Sequence, residues 1–140
     1  MTMTRRLLFM LPLAACLRAD SAHDAIDLIT SAAGGLSAGK PEVFLEAFDP
    51  AMPGYEKLRD AVTALTSGTE IECSIDVTSN QGDDASRMLE LDWILRIDRS
   101  ERGEGSVRRQ ETVKCSLRKT GKKWRIVAFE PLDFFALPKA

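Results

Sequence analysis

Histidine and paired cysteines are scarce in this sequence, which argues against the common metal sites. His23 is the single histidine, the cysteines lie far apart in the chain, and no CxxC pair occurs. A structural zinc site usually needs four such ligands at close spacing. We therefore expect no metal and no cofactor. His23 is interpreted as a solvated side chain.

An excess of positive charge is also missing. The chain has 19 lysines and arginines against 21 aspartates and glutamates, a formal net charge of −2. Such a balance offers no broad attraction for nucleic acid. Two short basic clusters, Arg108–Arg109 and the group at residues 118–123, are typical of solvated turns. We expect no nucleic-acid partner.

No apolar run is long enough for a permanent membrane span, which needs about 20 residues. The apolar stretch at residues 7–15 follows Arg5 and Arg6 and is closed by Arg18 and Asp20. A charged start before a short apolar run is typical of an export signal. The sequence therefore predicts a signal over residues 1–19, and one domain over residues 20–140 in the bacterial envelope or periplasm.

The end of this signal resembles the lipobox of bacterial lipoproteins, in the four residues Leu13-Ala14-Ala15-Cys16. The resemblance implies cleavage before Cys16 and lipidation of its thiol, so that the protein would meet the membrane only through a lipid anchor. The alternative is plain cleavage by ordinary signal peptidase, which also favours small residues.

Export would permit a disulfide between the other two cysteines, Cys73 and Cys115. The alternative, which we expect, is that each is a small buried hydrophobic side chain on a strand.

Helical periodicity dominates the first half of the domain. Ser21 followed by Asp24 resembles a helix start, with Ser21 as the N-cap. Three helices are predicted from their apolar stripes: one carrying Ile26, Ile29, Ala33 and Leu36, one from Pro41 to Phe48 burying Val43, Phe44, Ala47 and Phe48, and one carrying Tyr55, Leu58, Val62 and Leu65.

From Thr69 the apolar period changes to two, which is typical of half-buried strands. Four strands are predicted as a meander: Thr69–Val77, a strand carrying Leu89, Leu91, Trp93, Leu95 and Ile97, Val107–Arg118, and Trp124–Phe129. A polar loop is expected over Ser79–Ser86. The last strand is apolar on both faces, which suggests that it is covered on both sides or adjoins a subunit contact.

This order of elements resembles the nuclear transport factor 2-like superfamily from Asp24 to about Pro131. The similarity lies in the helix ending near Ala38–Pro41, the Phe44–Phe48 helix, and the closing turn that leads into Trp124. It implies an α+β fold, a cystatin-like cone in which N-terminal helices pack in the concave face of a curved antiparallel sheet. A pocket inside the cone and a homodimer through the outer sheet face are also implied.

Enzymes of that superfamily place an aspartate or histidine inside the cone, often with a tyrosine, and this sequence departs from that pattern. The inward positions of the first two strands are apolar, so no catalytic residue is assigned. Five residues are instead predicted to line the pocket: Phe44, Phe48, Trp93, Arg109 and Glu111. Arg109 and Glu111 share the core-facing parity of Val113, so they either grip a polar ligand or are satisfied by pairing and solvent at the sheet's end.

Gly34–Pro41 is a near miss to the phosphate-binding P-loop, because Pro41 stands where a hydroxyl residue is required and no strand precedes the glycines. The apolar tail over residues 131–138 is expected to pack onto the domain, with a partner surface or ligand lid as the alternative. The sequence thus predicts a non-catalytic envelope protein that binds a small apolar or amphipathic ligand or a protein partner. The alternative is a small isomerase, dehydratase or cyclase that uses the cone pocket.

Overall fold

The computed structural model describes residues 2–99 and 105–136, with side chains described from residue 20 onward. Three helices precede four strands and a final 3-10 helix. Their bounds are α1 Thr2–Ser37, α2 Pro41–Glu46, α3 Tyr55–Thr66, β1 Glu70–Gly82, β2 Ser86–Asp98, β3 Ser106–Thr120, β4 Lys123–Glu130 and the 3-10 helix Leu132–Phe135. The predicted α+β class and meander order are confirmed.

The sheet is antiparallel, with strand order β1-β2-β3-β4. Its concave face is set by period-two burial: in β2 the side chains at 89, 91, 93, 95 and 97 are buried, while those between them reach solvent at least partly. The helices cover this concave face. Because alternate side chains point to opposite faces of a strand, β2 contributes a continuous apolar row to the core.

Helix α1 does not begin at Ser21, so the predicted N-cap is wrong. Ser21 lies inside α1 and is only 5% exposed. Its hydroxyl donates to the carboxylate of Asp84, in the β1–β2 turn, at 2.6 Å. The residue type that suits a helix cap is used here to fasten the helix to the sheet.

Strand β1 extends beyond its predicted end. Gly82 still pairs with Arg87, so the turn between β1 and β2 is shorter than the loop expected over Ser79–Ser86. A bulge between Val77 and Ser79 shifts the register. That extra residue ends the clean alternation on which the sequence prediction depended.

A second bulge explains why the apolar residues of β4 do not follow a period of two. The register shifts between Ser116 and Leu117 of β3, leaving Val127 as the extra residue on β4. Trp124, Ile126 and Phe129 therefore all face the core, although their spacing breaks period two. β4 lies at an edge of the sheet, and the expectation that both its faces are covered is wrong, since Ala128 is exposed.

The helices bury most of the stripe positions expected of them, while Ile26 and Tyr55 are only half-buried. Ile29 and Leu36 of α1, Phe44 of α2 and Leu58 of α3 are all 2% exposed or less. Val43, predicted to be buried, is 36% exposed. Helix α2 ends at Glu46, and the chain then forms an isolated parallel bridge from Phe48 to Ile126, which covers the free edge of β4.

Candidate binding site in the cone

The inside of the cone is filled by aromatic rings. Three predicted pocket residues, Phe44, Phe48 and Trp93, are 2% exposed or less. Phe44 meets Phe48 edge-on, with ring centroids 4.9 Å apart. Trp93 approaches Phe129 at 6.2 Å. Edge-to-face contacts at such distances favour aromatic pairs beyond their burial alone.

The C-terminal segment Pro131–Phe135, called the tail below, completes this cluster. Phe135 is fully buried and its ring lies 5.0 Å from Phe44, 5.3 Å from Trp93 and 5.5 Å from Phe129. Phe134 contacts Trp93 at 6.2 Å. The expectation that the tail packs onto its own domain is confirmed over residues 131–136, and Leu137 and Pro138 lie outside the described residues.

Two further contacts hold the tail in place. Arg109 Nη1 donates to the carbonyl oxygen of Phe134 at 2.7 Å. Leu132 lies against Gly54 so closely that a Cβ at this position would collide with its side chain, and Gly54 also has a left-handed φ of +83°. A larger residue at position 54 would therefore displace the tail.

Arg109 and Glu111 are neighbours on one face of β3 but have different environments. Arg109 is half-buried, and desolvation lowers the pKa of its guanidinium, partly offset by the nearby carboxylate of Asp133. Glu111 is exposed. In the described part of the chain the two form no ion pair. Arg109 thus holds the tail through its hydrogen bond to Phe134, while Glu111, opposite Trp93 near the middle of β2, is exposed to solvent.

Both cysteines of the domain are free thiols, and Cys115 is buried as expected, whereas Cys73 is only half-buried. Cys73 is two strands away from Cys115 and about six residues further along the sheet, roughly 20 Å by strand geometry. A disulfide needs Cα atoms within about 7 Å, so these two cannot join in this fold.

The environment of each thiol disfavours its charged form. Burial raises the pKa of Cys115 to about 12. Burial also raises the pKa of Cys73, although the neighbouring side chains of Trp93 and Ser37 lower it in part. Since the thiolate is the reactive species, neither cysteine has the environment of a nucleophile.

No protein-family model matches the sequence, and no curated protein matches it either. Solved structures do match the fold. One is a nuclear transport factor 2-like superfamily protein from Salmonella enterica serovar Typhimurium, with a TM-score of 0.64 and 13% identity over 79% of this chain and 89% of that one. The chain has the nuclear transport factor 2-like fold.

Two more solved structures share this fold. A protein of unknown function with a cystatin-like fold from Nostoc punctiforme has a TM-score of 0.55 and 19% identity, over 75% of this chain and 84% of that one. A proposed dehydratase of the nuclear transport factor 2-like family from Streptomyces avermitilis has a TM-score of 0.62 and 10% identity, over 79% and 94% of the two chains. At these identities the similarity shows the fold alone.

At one end of this nuclear transport factor 2-like cone, hydrogen bonds close the structure. Besides the Ser21–Asp84 contact, Asn80 Nδ2 donates to the carbonyl of Ala22 at 3.0 Å. The buried guanidinium of Arg87 donates from Nε to Asn80 Oδ1 at 2.8 Å. We call Ser21, Asn80, Asp84 and Arg87 the clamp. Sequence reasoning missed it because its contacts join distant parts of the chain, such as Ser21 and Asp84, which are 63 residues apart.

One glycine of the P-loop near miss, Gly35, serves helix packing in this fold. Gly35 lies within α1, where a Cβ would come within 2.8 Å of the Phe44 backbone nitrogen. Its absent side chain lets α1 and α2 approach closely.

Surface cavities of similar size lie outside the cone. One of about 440 Å³ lies between α1, α2 and the β3–β4 turn, lined by Asp24, Lys122 and Trp124 among others. Another of about 430 Å³ lies on the outer sheet face beside Met88 and Ala128. Within the described residues, no group of three or more His, Cys, Asp or Glu side chains could hold a metal ion.

The helices of the described part include none that combines the length and the apolar character needed to cross a membrane. The side chain of Cys16 lies outside the described residues, so its lipidation stays a prediction.

Proposed function

We propose that this protein is a non-catalytic nuclear transport factor 2-like module, held at the bacterial envelope by a lipid on Cys16, which binds a protein partner on its outer surface. The observation that carries the proposal is the position of Phe135. This ring occupies the inside of the cone and is itself 0% exposed. A small apolar or amphipathic ligand would have to displace it.

The distribution of acids and bases supports a non-catalytic role. A general acid or base works best in a site that tunes its pKa by burial and neighbouring charges. Among residues 20–99 and 105–136, every aspartate and glutamate, and also His23, is at least partly exposed. The isomerase, dehydratase or cyclase alternative therefore lacks a buried proton-transfer group in this part of the chain.

The outer face of the sheet is the surface that we propose for a partner, with a second copy of the chain as the first candidate. Met88 is 65% exposed there, next to the exposed Ala128 and the cavity of about 430 Å³. A neighbouring row places Lys114 opposite both Glu90 and Glu130. Apolar contact flanked by opposite charges suits a self-complementary interface of two-fold symmetry.

Size-exclusion chromatography with light scattering tests this partner surface. The wild-type chain is expected to dimerise as concentration rises, Met88→Glu to stay monomeric, and the matched control Met88→Leu to dimerise like the wild type. A wild-type protein that stays monomeric throughout would remove self-association from the proposal.

The anchor has its own test. Labelled palmitate should be incorporated by the wild-type chain and not by Cys16→Ala. A wild-type protein without label would contradict lipidation.

The filled cone, on which the non-catalytic assignment depends, is tested by an apolar fluorescent probe such as anilinonaphthalene sulfonate. Since Phe135 fills the cone, the wild-type protein should give little probe fluorescence, whereas Phe135→Ala should bind the probe in the vacated space. Strong, saturable binding by the wild type that also quenches Trp93 would favour a ligand site in the cone.

A further inference from the structure

The clamp lies where α1 joins the folded domain, at the end of the sheet that carries both hairpin turns. Lys119 N donates to the Ala85 carbonyl at 2.9 Å, which ties the β3–β4 hairpin to the β1–β2 turn. Residues 20–24 of α1, the β1–β2 turn at 82–86 and the β3–β4 turn at 118–123 are called the hairpin end below. Asp24 lines the same cavity as Lys122.

The β3–β4 turn carries four basic side chains within this end. Arg118, Lys122 and Lys123 are exposed and Lys119 is half-buried. Among the residues that the structure describes, none of the four forms an ion pair. Four positive charges on one turn are therefore open to an external anion.

Of the acidic side chains in the hairpin end, Asp83 and Asp84 are engaged by the protein itself, whereas Asp20 and Asp24 are exposed. Asp83 accepts hydrogen bonds from the backbone N–H groups of Ala85 and Ser86, which hold its pKa below the usual value. Asp84 accepts the hydroxyl of Ser21. Asp24 and Asp27 line the cavity that borders Lys122 and Lys123. The acids thus lie on the helix and the first turn, and the bases lie on the second turn.

The proposed anchor is close to this end in the sequence. About five residues join Cys16 to Ser21, and a chain of that length spans at most about 18 Å even when fully extended. Ser21 is itself fixed to the sheet by the clamp. A lipid on Cys16 would therefore hold the hairpin end near the bilayer, since no long linker separates the two.

We propose that the hairpin end faces the membrane and that the β3–β4 turn binds the headgroups of anionic phospholipids. This inference rests on the anchoring proposed above. Lysine and arginine side chains are attracted to an anionic bilayer within about one Debye length, roughly 8–10 Å. A short tether keeps the turn near that range, where the basic side chains contact the surface and set the orientation of the domain.

Lysine footprinting of the full, lipidated chain on vesicles tests the orientation. The protein is reconstituted in phosphatidylcholine vesicles, with or without phosphatidylglycerol, and treated with an amine-acetylating reagent before mass spectrometry. On anionic vesicles Lys122 and Lys123 are expected to react about fivefold more slowly, a change that matches the attraction of one basic residue to such a surface. Lys40, beyond the opposite end of α1, and Lys57 on α3 are the internal controls and should react equally on both kinds of vesicle.

The outcomes separate the two proposals. The orientation is supported if palmitate is incorporated and Lys122 and Lys123 are protected. That protection should need phosphatidylglycerol and disappear at high salt. Incorporation with turn lysines as reactive as Lys40 overturns the orientation and leaves the anchor intact. If inorganic phosphate in solution protects Lys122 and Lys123 equally well, the turn binds phosphate ions and the proposed membrane contact is overturned. Absence of lipid on Cys16 overturns both proposals.

Discussion

The tail and the clamp close the core of this domain by different means. At the tail, Phe134 and Phe135 close it with aromatic rings and one hydrogen bond from Arg109. At the clamp, Ser21 and Arg87 close it with hydrogen bonds. Removing a buried ring loses its transfer free energy and leaves a cavity, whereas hydrogen bonds contribute a smaller net amount because water competes for them. The tail should therefore contribute more to stability than any one member of the clamp.

Phe135→Ala should have the largest effect. The ring is fully buried among Phe44, Trp93 and Phe129, so its removal is expected to lower the free energy of unfolding by about 3–5 kcal/mol. Urea denaturation followed by tryptophan fluorescence measures the change. Lys57→Ala, at an exposed position on α3, is the control and should stay within about 0.5 kcal/mol of the wild type.

Arg87→Met tests the clamp. This change removes the charged donor to Asn80 and Asp83 from a side chain that is only 7% exposed, which should cost about 2–3 kcal/mol. Arg118→Met, one strand away and exposed, is the matched control and should change stability little. A loss larger than that of Phe135→Ala in the same urea series would reverse the comparison.

Arg109→Gln separates the hydrogen bond at the tail from its rings. The charge-assisted bond to the Phe134 carbonyl is lost while the aromatic cluster remains, so we expect a loss of about 1.5 kcal/mol. Hydrogen exchange at Phe134 and Phe135 should become faster. Unchanged exchange at these amides would show that the rings alone fix the tail.

Ser21→Ala should have the smallest effect of the four. One hydrogen bond to Asp84 is removed, and alanine favours the helical backbone at this position, so a loss of about 0.5–1 kcal/mol is expected. Asp84→Asn keeps an oxygen acceptor for the same hydroxyl and serves as the comparison. A gain in stability for Ser21→Ala would mean that helix propensity outweighs the clamp contact.

Sequence periodicity indicated single members of the aromatic cluster but not the cluster itself. Period two identified Trp93 as an inward side chain, and the helical stripe identified Phe44. Neither pattern indicated that Phe135, more than 40 residues from Trp93 in the chain, would lie between them. Such a contact depends on the direction in which the chain turns after β4, and local periodicity carries no information on that direction.

The two β-bulges are a second feature that the sequence pattern could not predict. In β2 the alternation is unbroken and every predicted core position is buried. In β4 one extra residue at Val127 moves Phe129 to the same face as Ile126, and the sequence pattern becomes ambiguous. A bulge is stabilised by pairing with the neighbouring strand, so it is decided by the sheet and not by the strand itself.

By itself the sequence determined the α+β class, the order of helices and strands, and the apolar rows of the sheet, because side-chain periodicity reports which face of an element avoids water. Only the tertiary structure decided that the tail fills the cone, that Ser21 fastens a helix instead of starting one, and that Arg109 holds a carbonyl while Glu111 meets solvent. Each of these depends on groups brought together from distant parts of the chain, whose interaction free energies exist only after the chain has folded.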